Sequence, residues 1–468
     1  MKESKTILIL FILVVIFAII NIIINRINIK NDELMTEKLN TLTETSKEMI
    51  SKIPENEEIN IYLFDYGADD YVSTLAKKYE ELNKNIKVEI KEANEEEEIV
   101  VNHGIKKGEY DILIASGEKS KLIKEDDLYS YDYNTGNIID LTEQRLTCGI
   151  VLVSSIGERK PVYVVKDHQK YGLDNELSML KRYIELGNYE VKEFDLANDD
   201  IPEECNIMMI SSINSDFSDE ETEKIKEYIN NGGNIIWLED AKFEEAEFNN
   251  VKSIFDFFGI QNVNSGVVFE QNKNNMIMQN PYLILPEIKN TEILGDFATQ
   301  GRVMFYYSTK LNFVENEKLE ELNVKITDLL TTSDKALFKT DFSEDAMSKK
   351  EDDEEGKFTV GALLEKSLEE EKVSKLIIYA NNYFVTNNAM KIGKEEIPVV
   401  DLYNNVELIE KSIDYLSENN DNTTIRKIVP RDYYLGIENQ GVKNAIVVES
   451  IIFVVVFLVI CIIKRIKK

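Results

Sequence analysis

The sequence predicts an α/β protein, with a mostly parallel sheet that carries helices on both faces, a smaller α/β domain before it, and an apolar helix at each end of the chain. Short apolar runs alternate with amphipathic segments of helical period through most of the 468 residues, as in chains that build parallel sheets. Two long apolar stretches lie near the termini. With 43% hydrophobic and 30% charged residues, the chain has enough apolar material for buried cores, which excludes global disorder.

The first apolar stretch, residues 6–25, reads TILILFILVVIFAIINIIIN and carries no charged side chain. About 20 residues at roughly 1.5 Å rise each cover the ~30 Å hydrocarbon layer of a bilayer. The stretch is longer than the apolar region of a signal peptide, and no small-residue cleavage site follows it. We therefore predict an uncleaved transmembrane helix.

The second apolar stretch, residues 445–463, reads AIVVESIIFVVVFLVICII and is followed by a cluster of four basic residues, Lys464, Arg465, Lys467 and Lys468. Basic clusters beside a membrane span remain cytoplasmic. We therefore predict a two-pass protein of the cell membrane, with both termini cytoplasmic and the bulk of the chain extracytoplasmic. Glu449 lies inside this stretch, where a carboxylate is costly. It faces either headgroup water or a polar group on a permease helix, and the sequence leaves both open.

The charge balance restricts the class of partner. The chain has 86 acidic and 54 basic side chains, which give a formal net charge of -32. A field of this sign repels phosphate, so binding of nucleic acid is disfavoured. Because the same charge is repelled by an anionic membrane surface, the partners of the acidic ectodomain are expected to be proteins rather than lipid headgroups.

The smaller domain, predicted over residues 36–135, begins with a β-α-β pattern. Its predicted elements are a helix in Leu39–Ile53, a strand at Ile59–Phe64, a helix that presents Leu75, Tyr79 and Leu82 on one face, a strand at Ile86–Ile90, and short strands at Asp111–Ala115 and Lys121–Ile123. The acidic run Glu95–Glu98 is typical of a solvated helix start rather than of a metal site.

The larger domain, predicted over residues 158–420, continues the alternation. Its predicted elements are a strand at Val162–Val165, a helix with Leu173, Leu177, Leu180 and Ile184 on one face, strands at Val191–Leu196 and Ile207–Ser211, a helix with Ile225 and Ile229, a strand at Ile235–Leu238, and a helix with Phe248, Val251, Phe255 and Phe258. Ser218 and Glu221 have the spacing of a capping box. Gly232 and Gly233 end the helix that this box begins.

A strand-rich insertion is predicted over about residues 267–372, and its segment Ser343–Lys357 has the polar density of an exposed loop. The apolar run Lys375–Ala380 predicts a buried strand that rejoins the parallel sheet. The last predicted helix, Asn404–Leu416, presents Val406, Ile409, Ile413 and Leu416 on one face.

Few residues have the chemistry for catalysis or metal binding. Neither Cys148 nor Cys205 is predicted at the strand-to-helix turn that a nucleophilic cysteine needs, so core thiols are favoured, although the sequence does not decide whether they pair. Two histidines, His103 and His168, and no CxxC pair exclude an ordinary zinc site. No GxxxxGK[ST] motif occurs, so any ATPase would be another chain. No cofactor is predicted.

Several segments, taken in order and between two spans, resemble a known family. They are DLTEQRLTCGI at Asp140–Ile150, VYVVKDH at Val162–His168, DDIPEECNIMMIS at Asp199–Ser211, the run Ser215–Asp240, LLTTSD at Leu329–Asp334, and KLIIYANNYFVTN at Lys375–Asn387. Together they resemble the GldG-type proteins, gliding-motility-associated auxiliary components of ABC transporters.

This resemblance implies a flavodoxin-like domain similar to class I glutamine amidotransferases, tethered beside an ABC permease. Six motif positions become candidate functional residues of unassigned role, namely Thr142, Glu143, Gln144, His168, Gly232 and Gly233. The family often has a Gly-His-Gly-Glu-like turn after the first strand of this domain, whereas this chain has Lys166–Gln169 and retains only the histidine.

The function predicted from these features is that of a non-catalytic, membrane-anchored auxiliary subunit that pairs with a separate permease and ATPase. One alternative is an extracytoplasmic hydrolase or ligand-binding protein that uses the crevice of the larger domain. A second alternative is a stand-alone sensor or adhesion ectodomain.

Overall fold

The computed structural model describes residues 39–429 except 55, 133–136, 157–159, 188, 242–247, 264–265, 296, 341–348, 352, 393 and 419–426. The predicted transmembrane helices at residues 6–25 and 445–463, with Glu449 and Cys461, lie outside the described residues. Within the described ranges, no helix has both the length and the apolar character that crossing a bilayer requires.

The first sheet is formed by four strands near the start of the described chain. The elements are α1 (Glu44–Ser51), β1 (Ile59–Phe64), α2 (Tyr71–Leu82), β2 (Ile86–Lys91), α3 (Glu97–His103), β3 (Ile112–Ser116) and β4 (Lys119–Ile123). The strand order is β2-β1-β3-β4, with β1 parallel to β2 and the other pairs antiparallel. The predicted β-α-β start is therefore confirmed.

One face of α2 packs on this sheet, as its spacing predicts, and Leu75 and Tyr79 are fully buried. Leu82 was expected on the same buried face but is 41% exposed. It is the last residue of the helix, where the chain turns at Asn83 toward β2. The periodicity is right for the helix, but the sheet does not extend beneath its last residue.

A hairpin and a helix follow and complete the first core. They are β5 (Tyr129–Asp132), β6 (Asn137–Asp140) and α4 (Thr142–Val153), preceded by a short 3-10 turn at Glu125–Asp127. From α4, Leu146 and Ile150 pack among the residues of the first sheet. A Cβ on Gly149 would lie 2.6 Å from Ile114 Cδ1, so this glycine permits the close approach of α4 to β3.

The second sheet begins with an alternation of strands and helices. These are β7 (Lys160–Val165), α5 (Ser178–Leu186), β8 (Tyr189–Phe194), β9 (Ile207–Ile210), α6 (Asp219–Asn230), β10 (Asn234–Leu238), α7 (Asn249–Phe257) and β11 (Ile260–Val263). Leu173 and Leu177 are buried as predicted, but they precede α5 rather than belonging to it. The Gly172–Ser178 segment is a series of turns whose backbone bonds include Leu177 N to Gly172 O.

The strand-rich insertion follows. Its elements are β12 (Val267–Phe269), β13 (Met276–Ile277), β14 (Asn280–Ile284), β15 (Glu287–Ile288), α8 (Phe297–Gln300), β16 (Phe305–Tyr306), β17 (Leu311–Phe313), α9 (Asn316–Glu321), β18 (Val324–Thr331), β19 (Ala336–Lys339), β20 (Glu354–Gly356) and β21 (Thr359–Ser367). Two three-stranded sheets, β12-β19-β20 and β13-β14-β16, lie within it.

The predicted exposed loop Ser343–Lys357 is wrong at its C-terminal end. Glu354–Gly356 form β20, which pairs with β19. The Asp353 side chain is 6% exposed and lies 2.6 Å from Lys339 Nζ, whose side chain is 1% exposed. An acid in a polar run is therefore buried, because a lysine on the neighbouring strand supplies its charge partner.

The chain then returns to the second sheet and ends its described part. The elements are β22 (Val373–Tyr379), β23 (Ala389–Ile392), β24 (Glu395–Pro398), α10 (Asn405–Leu416) and β25 (Lys427–Val429), with 3-10 turns at Lys273–Asn275, Glu369–Glu371, Tyr383–Val385 and Val399–Asp401. The face of α10 is as predicted for Ile409, Ile413 and Leu416, which are buried, while Val406 is partly exposed. Strand β25 pairs with β6, in a sheet of order β25-β6-β5.

The order of the parallel strands identifies the topology of the second sheet. Its path runs β11-β17-β21-β22-β10-β9-β7-β8, and β22, β10, β9, β7 and β8 are mutually parallel. Numbered along the chain, these five strands have the order 2-1-3-4-5 of flavodoxin-like sheets. The predicted parallel sheet, with β22 rejoining it, is confirmed for these five strands. The prediction that the sheet is mostly parallel is wrong, because β11, β15, β17, β18 and β21 extend it with antiparallel pairs.

Candidate functional site

The strand order places a topological switch point between β7 and β9. The crossover through α5 leads from β7 to β8 on one side, whereas the crossover through α6 leads from β9 to β10 on the other side. Right-handed crossovers in opposite directions place their helices on opposite faces of the sheet. Ligands of open α/β sheets bind at such a point, outside the carboxyl ends of the strands.

Polar residues follow four neighbouring strands at this edge. We call them the switch-point crevice, which comprises His168–Lys170 after β7, Ser211–Asn214 after β9, Glu239–Asp240 after β10 and Asn381–Asn382 after β22. Of these, His168 alone was a candidate from the sequence. The signal for some of the others was available, because Ser211–Ser212 and Glu239–Asp240 directly follow buried parallel strands.

The loops after β7 and β9 bond to each other across the switch point. Lys170 N donates to Ser212 O at 2.7 Å, and Asn214 N donates to His168 O at 2.7 Å. Between these bonds, Gln169 and Ile213 form an isolated antiparallel bridge. Backbone hydrogen bonds therefore join the two loops that border the switch point.

The His168 side chain holds this loop to the start of α6. Its Nδ1 lies 2.7 Å from Ser215 Oγ, and its Nε2 lies 3.0 Å from Glu221 Oε1. Glu221 Oε2 also accepts from Ser218 N at 2.6 Å, which completes the predicted capping box. Burial opposes ionisation of Glu221, but the bonds from Ser218 and His168 outweigh it and lower the pKa of this carboxyl.

Beneath the two loops, the polar side chains of the crevice are largely paired. Asp240 accepts from Asn382 N at 3.0 Å and from Lys170 Nζ at 3.0 Å. Asn382 Nδ2 donates to Ser211 Oγ at 2.9 Å. Burial disfavours the charge on Lys170, but Asp240 outweighs it and raises the pKa of the ammonium group. Two amide oxygens, Gln169 Oε1 and Asn382 Oδ1, have no hydrogen-bond partner among the described residues.

The candidates Thr142, Glu143 and Gln144 lie elsewhere, in the first turn of α4, where all three are buried. Glu143 Oε1 accepts from Thr43 N at 2.6 Å, from Thr43 Oγ1 at 2.8 Å and from Ser46 Oγ at 2.6 Å. Thr43 is the N-cap of α1. Glu143 therefore attaches the start of the described chain to α4.

The first turn of α4 is also joined to the last described strand. Thr142 N donates to Asp140 Oδ1 at 2.9 Å, and Asp140 ends β6, where it is the pairing partner of Lys427 in β25. Tyr71 Oη also donates to Asp140. The two ends of the described chain therefore meet at the segment Asn137–Glu143.

The candidates Gly232 and Gly233 are at the opposite edge of the second sheet from His168, since they precede β10. Gly232 has φ +88°, a conformation that favours glycine, and a Cβ on Gly233 would lie 2.3 Å from the Tyr228 ring. Tyr228 Oη bonds both the N and the O of Asn234 in β10. This glycine pair therefore ends α6 and permits its contact with β10, as the sequence predicts.

Both described cysteines are buried and form no disulfide, so the prediction of core thiols is confirmed. Burial raises the pKa of Cys148 to about 12 and that of Cys205 to about 12. Cys205 Sγ lies 3.8 Å from Tyr228 Oη. No cluster of three or more metal-ligating side chains is found within the described ranges.

A cavity lies between α4 on one side and α5 and the start of α10 on the other. It has a volume of about 630 Å³, and its walls include Gln144 and Arg145 of α4, Arg182 and Tyr183 of α5, and Asp401. We call it the junction cavity. Of these residues, the sequence pointed to Gln144 alone, and the other four become neighbours only when the two sheets pack together.

Comparison with known proteins gives one family. A family model described as an ABC-type uncharacterized transport system matches residues 159–412, which is more than half of the chain. No curated protein matches.

Several solved structures share part of the shape. The "mmIFT52 N-terminal domain" is 13% identical, with a TM-score of 0.40, over 55% of this chain and 98% of that chain. A ThuA-like protein from Bacteroides uniformis ATCC 8492 is 13% identical, with a TM-score of 0.31, over 56% and 92%. A ThuA-like protein from Parabacteroides merdae ATCC 43184 is 11% identical, with a TM-score of 0.30, over 59% and 94%. Each TM-score is below 0.5, so the fold assignment rests on the strand order of this chain.

Proposed function

The chain belongs to the family of ABC-type uncharacterized transport systems, and on this premise we propose that it is a non-catalytic, membrane-anchored auxiliary subunit. In this proposal, the predicted helices at residues 6–25 and 445–463 anchor it beside a separate permease and ATPase. Both termini are cytoplasmic and the two sheets are extracytoplasmic, as in the GldG-type proteins that its motifs resemble. The family match is the observation that carries the proposal.

The convergence of the chain ends supports the anchoring. Two spans that enter one membrane side by side require that the chain leave and re-enter the folded part at one place. Glu143 bonds Thr43 at the start of α1, and Asp140, three residues earlier, pairs with Lys427 in β25. The DLTEQR segment then has a physical role, which is to join the two ends that lead to the spans.

Three features of the described residues support a non-catalytic role. The thiols Cys148 and Cys205, with pKa values of about 12, are protonated at neutral pH. Both nitrogens of His168 are engaged in the capping network of α6. The loops after β7 and β9 bond over the switch point.

The experiment is recovery of the tagged full chain from its own cells in a gentle detergent, with quantification of the proteins that accompany it. We expect an ATP-binding subunit and a permease in constant ratio to the chain. Recovery of the chain alone, in a detergent that preserves a known transporter complex from the same cells, would contradict the proposal.

Glu449 gives a finer test of the same proposal. If its carboxylate binds a polar group on a permease helix, Glu449→Gln should reduce recovery of the permease. Ser450→Ala, a change of similar size at the next position, should not. Equal recovery with both variants would place Glu449 in headgroup water and leave the contact to other residues of the spans.

The alternative of a hydrolase or ligand-binding protein that uses the switch-point crevice is favoured by one observation, the two unpartnered amide oxygens of Gln169 and Asn382. Variants Cys148→Ala, Cys205→Ala and His168→Ala separate the two functions. A catalytic role predicts loss of function with the fold intact, whereas the auxiliary role predicts changes in stability alone.

A further inference from the structure

The junction cavity has the size and composition of a small-molecule site. Its volume of about 630 Å³ falls within the range of about 300–1,000 Å³ typical of ligand pockets. One wall is the first turn of α4, and the facing wall is formed by α5 and the start of α10. A molecule held there would touch elements of both sheets.

Arg145 supplies the strongest indication of a ligand. It is 4% exposed, and its Nε donates to Asp127 O at 3.2 Å. Its Nη1, although buried, has no hydrogen-bond partner among the described residues. A buried donor on a charged group is costly to leave unpaired, and the side chain that carries it belongs to a residue of the cavity wall.

Gln144, the neighbouring residue, presents the complementary group. It is 5% exposed, and its Oε1 also lacks a hydrogen-bond partner in the described part of the chain. Two consecutive residues of one wall therefore carry a buried cationic donor and a buried neutral acceptor. They match a ligand that carries both an anionic acceptor and a donor.

The other charged groups of the cavity are mostly acidic, and several of them have partners in the protein. Arg182 is paired with Asp127, which is 7% exposed. Asp401 accepts from Tyr183 Oη at 2.6 Å. Glu407 and Glu410 also line the cavity and are buried. A purely anionic molecule would meet this acidic wall unfavourably, and a purely cationic one would meet Arg145 unfavourably.

We propose that the junction cavity binds a small zwitterion of the α-amino acid type, with its carboxylate on the Arg145 guanidinium group and its ammonium group on the Gln144 side-chain amide and the acidic wall. The carboxylate and ammonium group of such a molecule are separated by one carbon atom. The inference goes beyond the proposed function and does not depend on it, since it uses only groups that the two sheets bring together.

The test uses the full chain in lipid nanodiscs and isothermal titration with each standard amino acid at up to millimolar concentration. We expect saturable binding of at least one of them. The matched probes are the same amino acid as its carboxamide, which lacks the carboxylate, and as its N-acetyl derivative, which lacks the ammonium group. Neither should bind. Binding of either derivative with the affinity of the amino acid would contradict the proposal that the ligand is a zwitterion. If no amino acid binds, the proposal that the cavity is an amino-acid site is overturned.

Variants of Gln144 and Arg145 test whether the amino acid binds in the junction cavity. Arg145→Met and Gln144→Leu each remove one of the two groups, and each should weaken binding about tenfold or more. Lys181→Met, on α5 but paired with the exposed Asp174, is the control and should bind as the unaltered chain does. If Arg145→Met does not fold, Gln144→Leu decides alone. Unchanged affinity in the folded variants would show that the amino acid binds at another place.

Discussion

At the switch-point crevice, Asp240 is paired with Lys170, and the buried groups without a partner are the neutral amide oxygens of Gln169 and Asn382. At the junction cavity, by contrast, a guanidinium nitrogen of Arg145 and an amide oxygen of Gln144 are buried without a protein partner. Paired polar groups stabilise the fold that contains them, whereas unpaired ones are retained at a cost that a ligand can offset. In this chain, the unpaired groups at the crevice are neutral amides, whereas the cavity at the packing boundary between the sheets also has an unpaired nitrogen on a charged group.

The comparison predicts the largest effect at the crevice. Asp240→Ala removes the acceptor of the buried Asn382 amide and the partner of Lys170. The free energy of unfolding should fall by about 2–3 kcal/mol, most of it from the amide, because Lys170 is half exposed and its ion pair is screened. Urea denaturation measures this. Asp256→Ala, which removes an exposed pair with Lys252, is the control and should change stability by less than about 0.5 kcal/mol.

Glu221 should give an effect of about 1–2 kcal/mol that depends on pH. Its pKa is lowered in the folded state, below an unfolded value of roughly 4.3. The stabilisation is therefore fully present above the unfolded pKa and is lost as the pH falls through the folded pKa. In Glu221→Gln, the free energy of unfolding should depend less on pH in this acidic range. A variant whose stability has the same acid dependence as that of the unaltered chain would show that ionised Glu221 does not stabilise the fold.

The two arginines of the junction cavity should differ from each other. Arg182→Met leaves the buried Asp127 without its ion pair and should destabilise the fold by about 1 kcal/mol or more. Arg145→Met removes a buried cation with an unpaired donor, so it should leave stability within about 1 kcal/mol of the unaltered chain or raise it. Urea denaturation measures the free energy of unfolding of both variants. A larger loss of stability for Arg145→Met than for Arg182→Met would mean that Arg145 is structural and would contradict the expected difference between the two arginines.

Local patterns in the sequence predict most of the elements. The capping box at Ser218 and Glu221, the end of α6 at Gly232, and the strand Ile59–Phe64 all depend on residues close together in the chain, and the structure confirms each. The predicted burial of Leu82 is wrong, because it depends on how far the sheet extends beneath the helix. The burial of Asp353 depends on Lys339 in a neighbouring strand, which spacing does not reveal.

The candidate sites divide in the same way. His168 was a candidate from a motif, but its role depends on Ser215 and Glu221, which lie 47 and 53 residues further along the chain. Arg145 directly follows the motif residues Thr142–Gln144 and was not singled out, because its unpaired nitrogen becomes visible only when α5 and α10 close the cavity. Local structure follows from short-range pattern, whereas the satisfaction of buried polar groups is a property of the assembled fold.

The smallest expected effect is at the thiols. With pKa values of about 12, Cys148 and Cys205 should have a thiolate fraction at neutral pH roughly a thousandfold below that of an exposed cysteine. In a Cys461→Ala background, a maleimide should leave both unlabelled in the folded chain and label both in denaturant. Because labelling requires opening of the core, its rate should rise in Asp240→Ala and not in Arg145→Met, if the crevice stabilises the fold and the cavity does not. Rapid labelling of either thiol in the unaltered chain would reopen the hydrolase alternative for that residue.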